Sequence, residues 1–137
     1  MEALTQLFIA LLAISISSGS HYVFLNRLKK WVGNTKIPSF VSLLMVFYGI
    51  TLSQLVAALW FALGFEASIY LGLGSFGGDD PIAFIDVFYF SLINLTTLGM
   101  ANIEPLRHLN LLVGLEAMTG FLLVSCSATL IFKTMKH

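Results

Sequence analysis

The sequence is poor in charged residues and contains a single cysteine. Only 10% of its 137 residues are charged, and seven basic residues balance seven acidic ones. Soluble domains are about a quarter charged, so this composition argues against a soluble enzyme. No excess of positive charge is present that could form a nucleic-acid-binding surface. The lone Cys126 excludes an internal disulfide and a cysteine-based metal motif.

Apolar residues make up 58% of the chain and are gathered in long blocks. A helix needs about 20 predominantly apolar residues to cross a bilayer. Three blocks are long enough, at residues 1–25, 38–64 and 108–132. We therefore predict an all-α membrane protein with three transmembrane helices, embedded in the lipid bilayer of a plasma or inner membrane.

The first block, residues 1–25, fits either a retained helix or a cleaved signal peptide. We prefer a retained, additional N-terminal helix, because basic residues follow the apolar run and do not precede it. Ser15 and Gly19 have the spacing of small residues that lets helices approach closely in lipid, or they are incidental small residues.

Polar segments separate the three blocks. Residues 26–37 contain Arg27, Lys29, Lys30 and Lys36 and predict a cytoplasmic loop, because basic residues favour that side. Residues 65–80 are rich in glycine and acidic residues and predict an outer loop. Residues 133–137 are expected to form a short cytoplasmic tail.

Residues 82–95 predict a short helix that enters the membrane and returns on the same side. Asp79 or Asp80 would cap it, with Pro81 in its first turn. Its rise of about 21 Å is too short for a hydrocarbon core of about 30 Å. A fourth span is the alternative. The re-entrant arrangement leaves only Arg107 of the basic residues outside, so it agrees better with the positive-inside rule. It places the N-terminus outside and the C-terminus in the cytoplasm.

A distinctive motif follows this short helix. Residues 96–102 read Thr-Thr-Leu-Gly-Met-Ala-Asn, and residues 115–120, in the last block, read Leu-Glu-Ala-Met-Thr-Gly. Together with the flanking helices, the motif resembles the two-span pore module of the potassium channel superfamily. The resemblance covers residues 38–132. It implies an outer helix at 38–64, a pore helix at 82–95, a filter at 96–102 and an inner helix at 108–132.

The resemblance also implies a homotetramer in which four filters meet around a permeant potassium or sodium ion. Backbone carbonyls would replace the ion's hydration shell. The expected ion-binding filter consists of Thr96, Thr97, Leu98, Gly99, Met100 and Ala101. Within it, Thr97, Leu98, Gly99 and Met100 would hold the monovalent cation. Apart from this ion, no cofactor, nucleic acid or small-molecule substrate is expected.

Several residues near the filter are expected to support it. Asn94 and Asn102 flank the filter. Glu116 would lie behind it, hydrogen-bonded to backbone, to Asn94 or to Thr96; a protonated, merely structural carboxyl is the alternative. Gly120 is either a hinge of the inner helix or a position of close helix packing. Away from the filter, Gln54 is expected to hydrogen-bond to a neighbouring helix, whereas His21 carries no functional expectation.

The filter departs from the family pattern at its outer end. Met100 and Ala101 replace an aromatic residue and a second glycine, and Asn102 replaces an aspartate. Alanine in a left-handed conformation costs about 1–2 kcal/mol, so we predict relaxed potassium selectivity. Two alternative functions remain. One is a non-conducting or accessory membrane subunit, and the other is a small four-helix proton-coupled exporter that uses Glu116. An enzyme is not expected, because no nucleophile is paired with an obvious base.

Overall fold

The computed structural model of the chain describes residues 1–34, 36–77, 82–96 and 103–135. Three long helices dominate it, and each is long and apolar enough to cross a membrane. The prediction of an all-α membrane protein with three such helices is confirmed. In chain order the elements are α1 (Glu2–Asn34), α2 (Ser39–Tyr70), β1 (Gly74–Gly77), α3 (Phe84–Leu95), β2 (Glu104–Arg107) and α4 (Leu109–Met135).

The first helix continues well beyond its apolar block. A loop was expected over residues 26–37, but α1 stays helical through Asn34. Leucine, lysine and arginine are good helix formers, and Leu28 packs against Gly49 of α2, which holds the extension in place. A helix of 33 residues rises about 50 Å, so its basic last turns reach past a core of about 30 Å.

The second helix also runs further than expected. It ends at Tyr70, so the first part of the expected outer loop at residues 65–80 is helical. Phe65 and Ser68 are buried there, and this burial explains why the helix persists after the apolar block ends. The last helix extends to Met135, beyond the expected end at residue 132.

A short antiparallel ladder joins the two ends of the segment between α2 and α4. Gly74 pairs with Arg107, and Gly77 pairs with Glu104. Because β1 follows α2 and β2 precedes α4, the chain leaves and returns at the same end of the helices. The helix between them, α3, has 12 residues and rises only about 18 Å. A helix of this length is too short for a hydrocarbon core of about 30 Å, so it fits the re-entrant interpretation better than a fourth span.

One face of α1 packs against α2 and α4 through small and polar residues. Their spacing of three or four places them on the same side of the helix; they are Gln6, Ala10, Ala13, Ser17 and His21. Ser15 and Gly19 lie on the exposed side, and no atom of the described residues lies within 4 Å of a Cβ built on Gly19. Close packing within the chain therefore uses Ala10, Ala13 and Ser17, and Ser15 and Gly19 take no part in it.

Three phenylalanines fasten the re-entrant segment to α2. Phe65 of α2, Phe76 of β1 and Phe90 of α3 are buried, with ring centroids 5.0 to 5.6 Å apart. The rings meet at steep angles, an arrangement that aromatic pairs favour beyond the area they bury. The cluster fixes α3 and the ladder at one end of the molecule.

Candidate functional site

The short helix α3 begins with a backbone cap made by its own acidic residue. The carboxylate of Asp86 accepts a hydrogen bond from the backbone N–H of Ala83, at 3.0 Å. This is the backward half of a capping box, and the signal was an acidic residue three positions after the cap. The helix therefore starts at Phe84, two residues later than expected. The caps expected at Asp79 or Asp80, and Pro81, lie outside the described residues.

Glu116 of α4 is fully buried against α3. Its Oε2 accepts a hydrogen bond from Asn94 Nδ2 at 3.2 Å, and the same amide donates to the carbonyl of Val113 at 2.9 Å. Asn94 was one of the partners expected for Glu116, and the structure brings the two together. The hydroxyl of Thr96, another expected partner, donates to the carbonyl of Ile93 at 2.9 Å.

Ser91 is the second contact of Glu116, and sequence reasoning missed it. Its Oγ lies 2.5 Å from Glu116 Oε1 and 2.8 Å from the carbonyl oxygen of Ala58 in α2. A hydroxyl has one proton, so a neutral Glu116 that donates to Ser91 satisfies both contacts at once. The available signal was the spacing of Ser91 and Asn94, which places two polar groups on one face of an apolar helix.

Gly120 lies one turn beyond Glu116, against the last residue of α3. A Cβ built on Gly120 would overlap the carbonyl of Leu95, far closer than real Cβ atoms approach. The helix α4 continues without interruption through this position. This contact supports the alternative that Gly120 allows close helix packing. The alternative that Gly120 is a hinge stays a prediction. Glu116 and Gly120 together hold the C-terminal half of α3.

The expected filter begins where α3 ends. Thr96 is the C-cap of α3 and is exposed. The other expected filter residues, namely Thr97, Leu98, Gly99, Met100 and Ala101, lie outside the described residues, as does Asn102. The C-terminal end of a helix carries partial negative charge. The residues expected to form the filter are therefore preceded by a buried helix end that favours cations.

A second polar contact joins all three long helices and was not expected from the sequence. His21 of α1 is buried, with Nδ1 2.5 Å from Ser53 Oγ of α2 and Nε2 3.1 Å from Ser127 Oγ of α4. Ser127 donates its own proton to the carbonyl of Leu123 at 2.9 Å. It must therefore accept from Nε2–H, which leaves Nδ1 free to accept from Ser53. The only sequence signal for this contact was the spacing of four residues between Ser17 and His21, which places both side chains on one face of the helix.

Gln54 does not form the hydrogen bond to a neighbouring helix that the sequence predicts, within the part of the chain that the structure describes. Its side-chain oxygen and nitrogen are buried, and neither has a hydrogen-bond partner within the described part of the chain. A hydrogen bond to a neighbouring helix was expected, and none is present among residues 1–34, 36–77, 82–96 and 103–135. The side chain of Gln54 therefore contributes no polar contact to the packing of the described helices.

The N-terminus of α1 is tied to the start of α4. A carboxylate oxygen of Glu2 lies 3.1 Å from Arg107 Nη2 and 3.2 Å from His108 Nε2. Arg107, the last residue of β2, has a φ of 58°, a conformation uncommon for residues other than glycine. This ion pair lies at the same end as the ladder. Among the described residues, no group of three His, Cys, Asp or Glu side chains could hold a metal ion.

Comparison with known families gives one match. A family model described as "Ion channel" matches residues 9–137. The matched region contains α2, α3 and α4, the residues of the expected filter and most of α1. No curated protein and no solved structure matches the chain.

Proposed function

Because the chain belongs to the ion channel family, a two-span domain of the potassium channel superfamily, we propose that it conducts monovalent cations passively through a homotetrameric pore. Membership makes the protein an ion channel in the membrane. Ion channel families are not enzymatic, which agrees with the expectation drawn from composition.

The observation that carries the proposal is the way α4 holds α3. Glu116 is hydrogen-bonded to Ser91 and Asn94, and the backbone carbonyl of Leu95 packs directly against Gly120. A filter needs carbonyl oxygens held at fixed positions, and non-helical backbone at membrane depth is tolerated only where it lines a wet or enclosed path. A buried helix that ends in the filter segment supports this use.

Selectivity depends on the filter sequence. Thr97, Leu98, Gly99 and Met100 would provide the carbonyls that bind the ion, with Thr96 and Ala101 at the two ends. Met100 lacks the hydroxyl with which a tyrosine could fix the filter diameter, and Ala101 resists the left-handed backbone that a glycine adopts freely. We propose that potassium passes and that sodium is only partly excluded.

In the proposed tetramer, one face of α4 lines the inner cavity. Ser125 and Thr129 lie one turn apart and are exposed, whereas Ser127 points to His21. Hydroxyl groups suit a wet path for a partly hydrated cation. We assign Ser125 to the cavity wall and Ser127 to helix packing, whereas Thr129 faces the space between α4 and α1.

The proposed orientation places the ladder outside the cell and the C-terminus in the cytoplasm of a plasma or inner membrane. Arg27, Lys29 and Lys30 lie in the C-terminal part of α1, and Lys133 lies in the last turn of α4, at the opposite end from the ladder. Arg107 lies at the ladder end and is paired with Glu2. Basic residues next to span ends favour the cytoplasmic side, which supports this orientation.

Ion flux into liposomes that contain the purified protein tests the proposal. Gradients of potassium, sodium and N-methyl-glucamine are compared for the wild type and for Gly99→Ala, and native mass spectrometry counts the subunits. We expect tetramers, flux of potassium and a smaller flux of sodium, and loss of both in the variant. Folded tetramers that pass no ion would instead identify a non-conducting or accessory subunit.

A further inference from the structure

Two adjoining cavities open between the helices at the end opposite the ladder. Their volumes are about 300 and 530 Å³. Lys29 of α1 and Lys133 of α4 line both of them, together with Leu130. Two lysines from different helices therefore share one space near the end of the bundle.

The smaller cavity is an apolar groove between α1 and α4. It extends from Ser18 on α1 to Lys29, a length of about 16 Å along a helix. Leu25, Leu123 and Leu130 are among the side chains that form its walls. The groove runs along two membrane-spanning helices toward their middle and is lined mainly by apolar surface, so it suits a hydrocarbon chain.

The larger cavity reaches the beginning of α2. Ser39 and Ser42, in the first turn of that helix, line it beside the lysines. Pro38 caps α2 without a side-chain hydrogen bond, and a helix N-terminus carries partial positive charge. This part of the space is therefore more polar than the groove, and two lysines and a helix N-terminus make it positive.

Lys29 and Lys133 have no acidic partner among the described residues. Both ion pairs found there belong to Glu2, at the other end of the molecule. Glu116, the acidic residue of α4, is separated from Lys133 by about 25 Å of helix. Two unneutralised like charges that share a cavity repel each other, and an anion between them removes this repulsion.

We propose that this place binds one anionic phospholipid. Its phosphate lies between Lys29 and Lys133, near the first turn of α2, and one acyl chain lies in the groove between α1 and α4. The apolar groove favours a lipid over free phosphate, because inorganic phosphate would leave it empty. The site concerns lipid recognition alone and does not depend on whether the pore conducts ions.

Quenching of Trp31 by brominated lipid tests the site directly. Trp31 lies two positions after Lys29 in α1, and the substitution Trp60→Phe removes the other tryptophan. The variant is reconstituted in bilayers that mix phosphatidylcholine with phosphatidylglycerol, with either lipid brominated. Basic groups attract anionic lipid by about 1 kcal/mol each, so we expect the two lysines to make phosphatidylglycerol preferred by roughly fivefold to thirtyfold.

The chain provides a matched control for the loss of charge. Lys29→Gln with Lys133→Gln should reduce the preference to about one, whereas Lys30→Gln with Lys36→Gln should retain most of it. Both pairs remove two positive charges, but neither Lys30 nor Lys36 lines either of these two cavities. Circular dichroism confirms that each variant keeps its helices.

Three results would overturn the proposal. One is an equal preference for both lipids in the wild type, and another is an equal loss in the two double variants, which would indicate diffuse surface attraction. The third is removal of the preference by inorganic phosphate at constant ionic strength, which would identify a soluble anion as the ligand.

Discussion

Gly120 of α4 lies directly against the carbonyl of Leu95, so that a Cβ at position 120 would overlap it. One turn earlier, Glu116 bonds to Ser91 and Asn94 of the same short helix. The C-terminal half of α3 is thus held by a polar contact and by a contact that only glycine permits. A substitution at Gly120 or Glu116 should therefore displace the C-terminal end of α3, which precedes the proposed filter residues.

Gly120→Ala should displace α3 and impair the channel. The added methyl group meets backbone, which cannot move aside as a flexible side chain can, and overpacking of this kind costs about 1–3 kcal/mol. We expect a lower melting temperature in detergent and a loss of potassium flux in liposomes.

Gly114→Ala is the matched control on the same helix. No atom of the described residues lies within 4 Å of a Cβ at position 114, and alanine favours a helix by about 1 kcal/mol over glycine. It should leave the melting temperature equal or higher and the flux unchanged. Equal behaviour of the two alanine variants would contradict the packing role of Gly120.

Glu116 should tolerate replacement by glutamine better than by alanine. If Ser91 donates to Ala58, the amide nitrogen of glutamine can donate to Ser91 and its oxygen can accept from Asn94, as a neutral carboxyl does. Alanine would remove one hydrogen bond from each of two buried side chains, Ser91 and Asn94, at a cost of about 2 kcal/mol in total. Thermal unfolding of Glu116→Gln, Glu116→Ala and the wild type in detergent measures the difference.

If glutamine at position 116 is no better tolerated than alanine, Glu116 is an ionised carboxylate in the wild type. Ser91 would then donate to Glu116, and glutamine would place an N–H group against the hydroxyl proton or lose the contact. A melting temperature of Glu116→Gln as low as that of Glu116→Ala would therefore count against the neutral form. Ser91→Ala should fall between the wild type and Glu116→Ala, because it removes one of the two side-chain contacts of Glu116.

The three spans and the short helix could be predicted because they depend on local composition. A block of about 20 apolar residues is itself the requirement for crossing a bilayer, and a helix of 12 residues cannot meet it. The contact of Glu116 with Asn94 could also be anticipated, because a deeply placed carboxyl needs a partner. Few polar groups were within reach of it on the short helix α3.

The remaining contacts depend on which faces of the helices meet, and one sequence does not specify that. Ser91 and His21 are isolated polar residues in apolar helices, and their partners lie 25 or more residues away along the chain. The ladder of β1 and β2 has only four residues in each strand and no alternating pattern. The helical extension of α1 depends on a contact between Leu28 and Gly49.

The bridge made by His21 predicts a difference between two serines of α4. Ser127→Ala removes the acceptor of His21 Nε2–H, and hydrogen bonds between membrane helices are worth about 0.6 kcal/mol on average. Ser125→Ala, on the exposed side of the same helix, should change the melting temperature little. A double-mutant cycle of His21→Ala with Ser127→Ala should show a coupling energy, whereas a cycle of His21→Ala with Ser125→Ala should show none.

Arg107 combines an unusual backbone conformation with an exposed ion pair, and two substitutions separate these effects. Arg107→Ala and Arg107→Gly both remove the contact with Glu2, which is exposed and worth at most about 1 kcal/mol. Only glycine relieves the strain of a φ of 58°, which costs about 1–2 kcal/mol for other residues. We therefore expect Arg107→Gly to melt at a higher temperature than Arg107→Ala. Identical melting temperatures would mean that the ladder releases this conformation when the side chain is truncated.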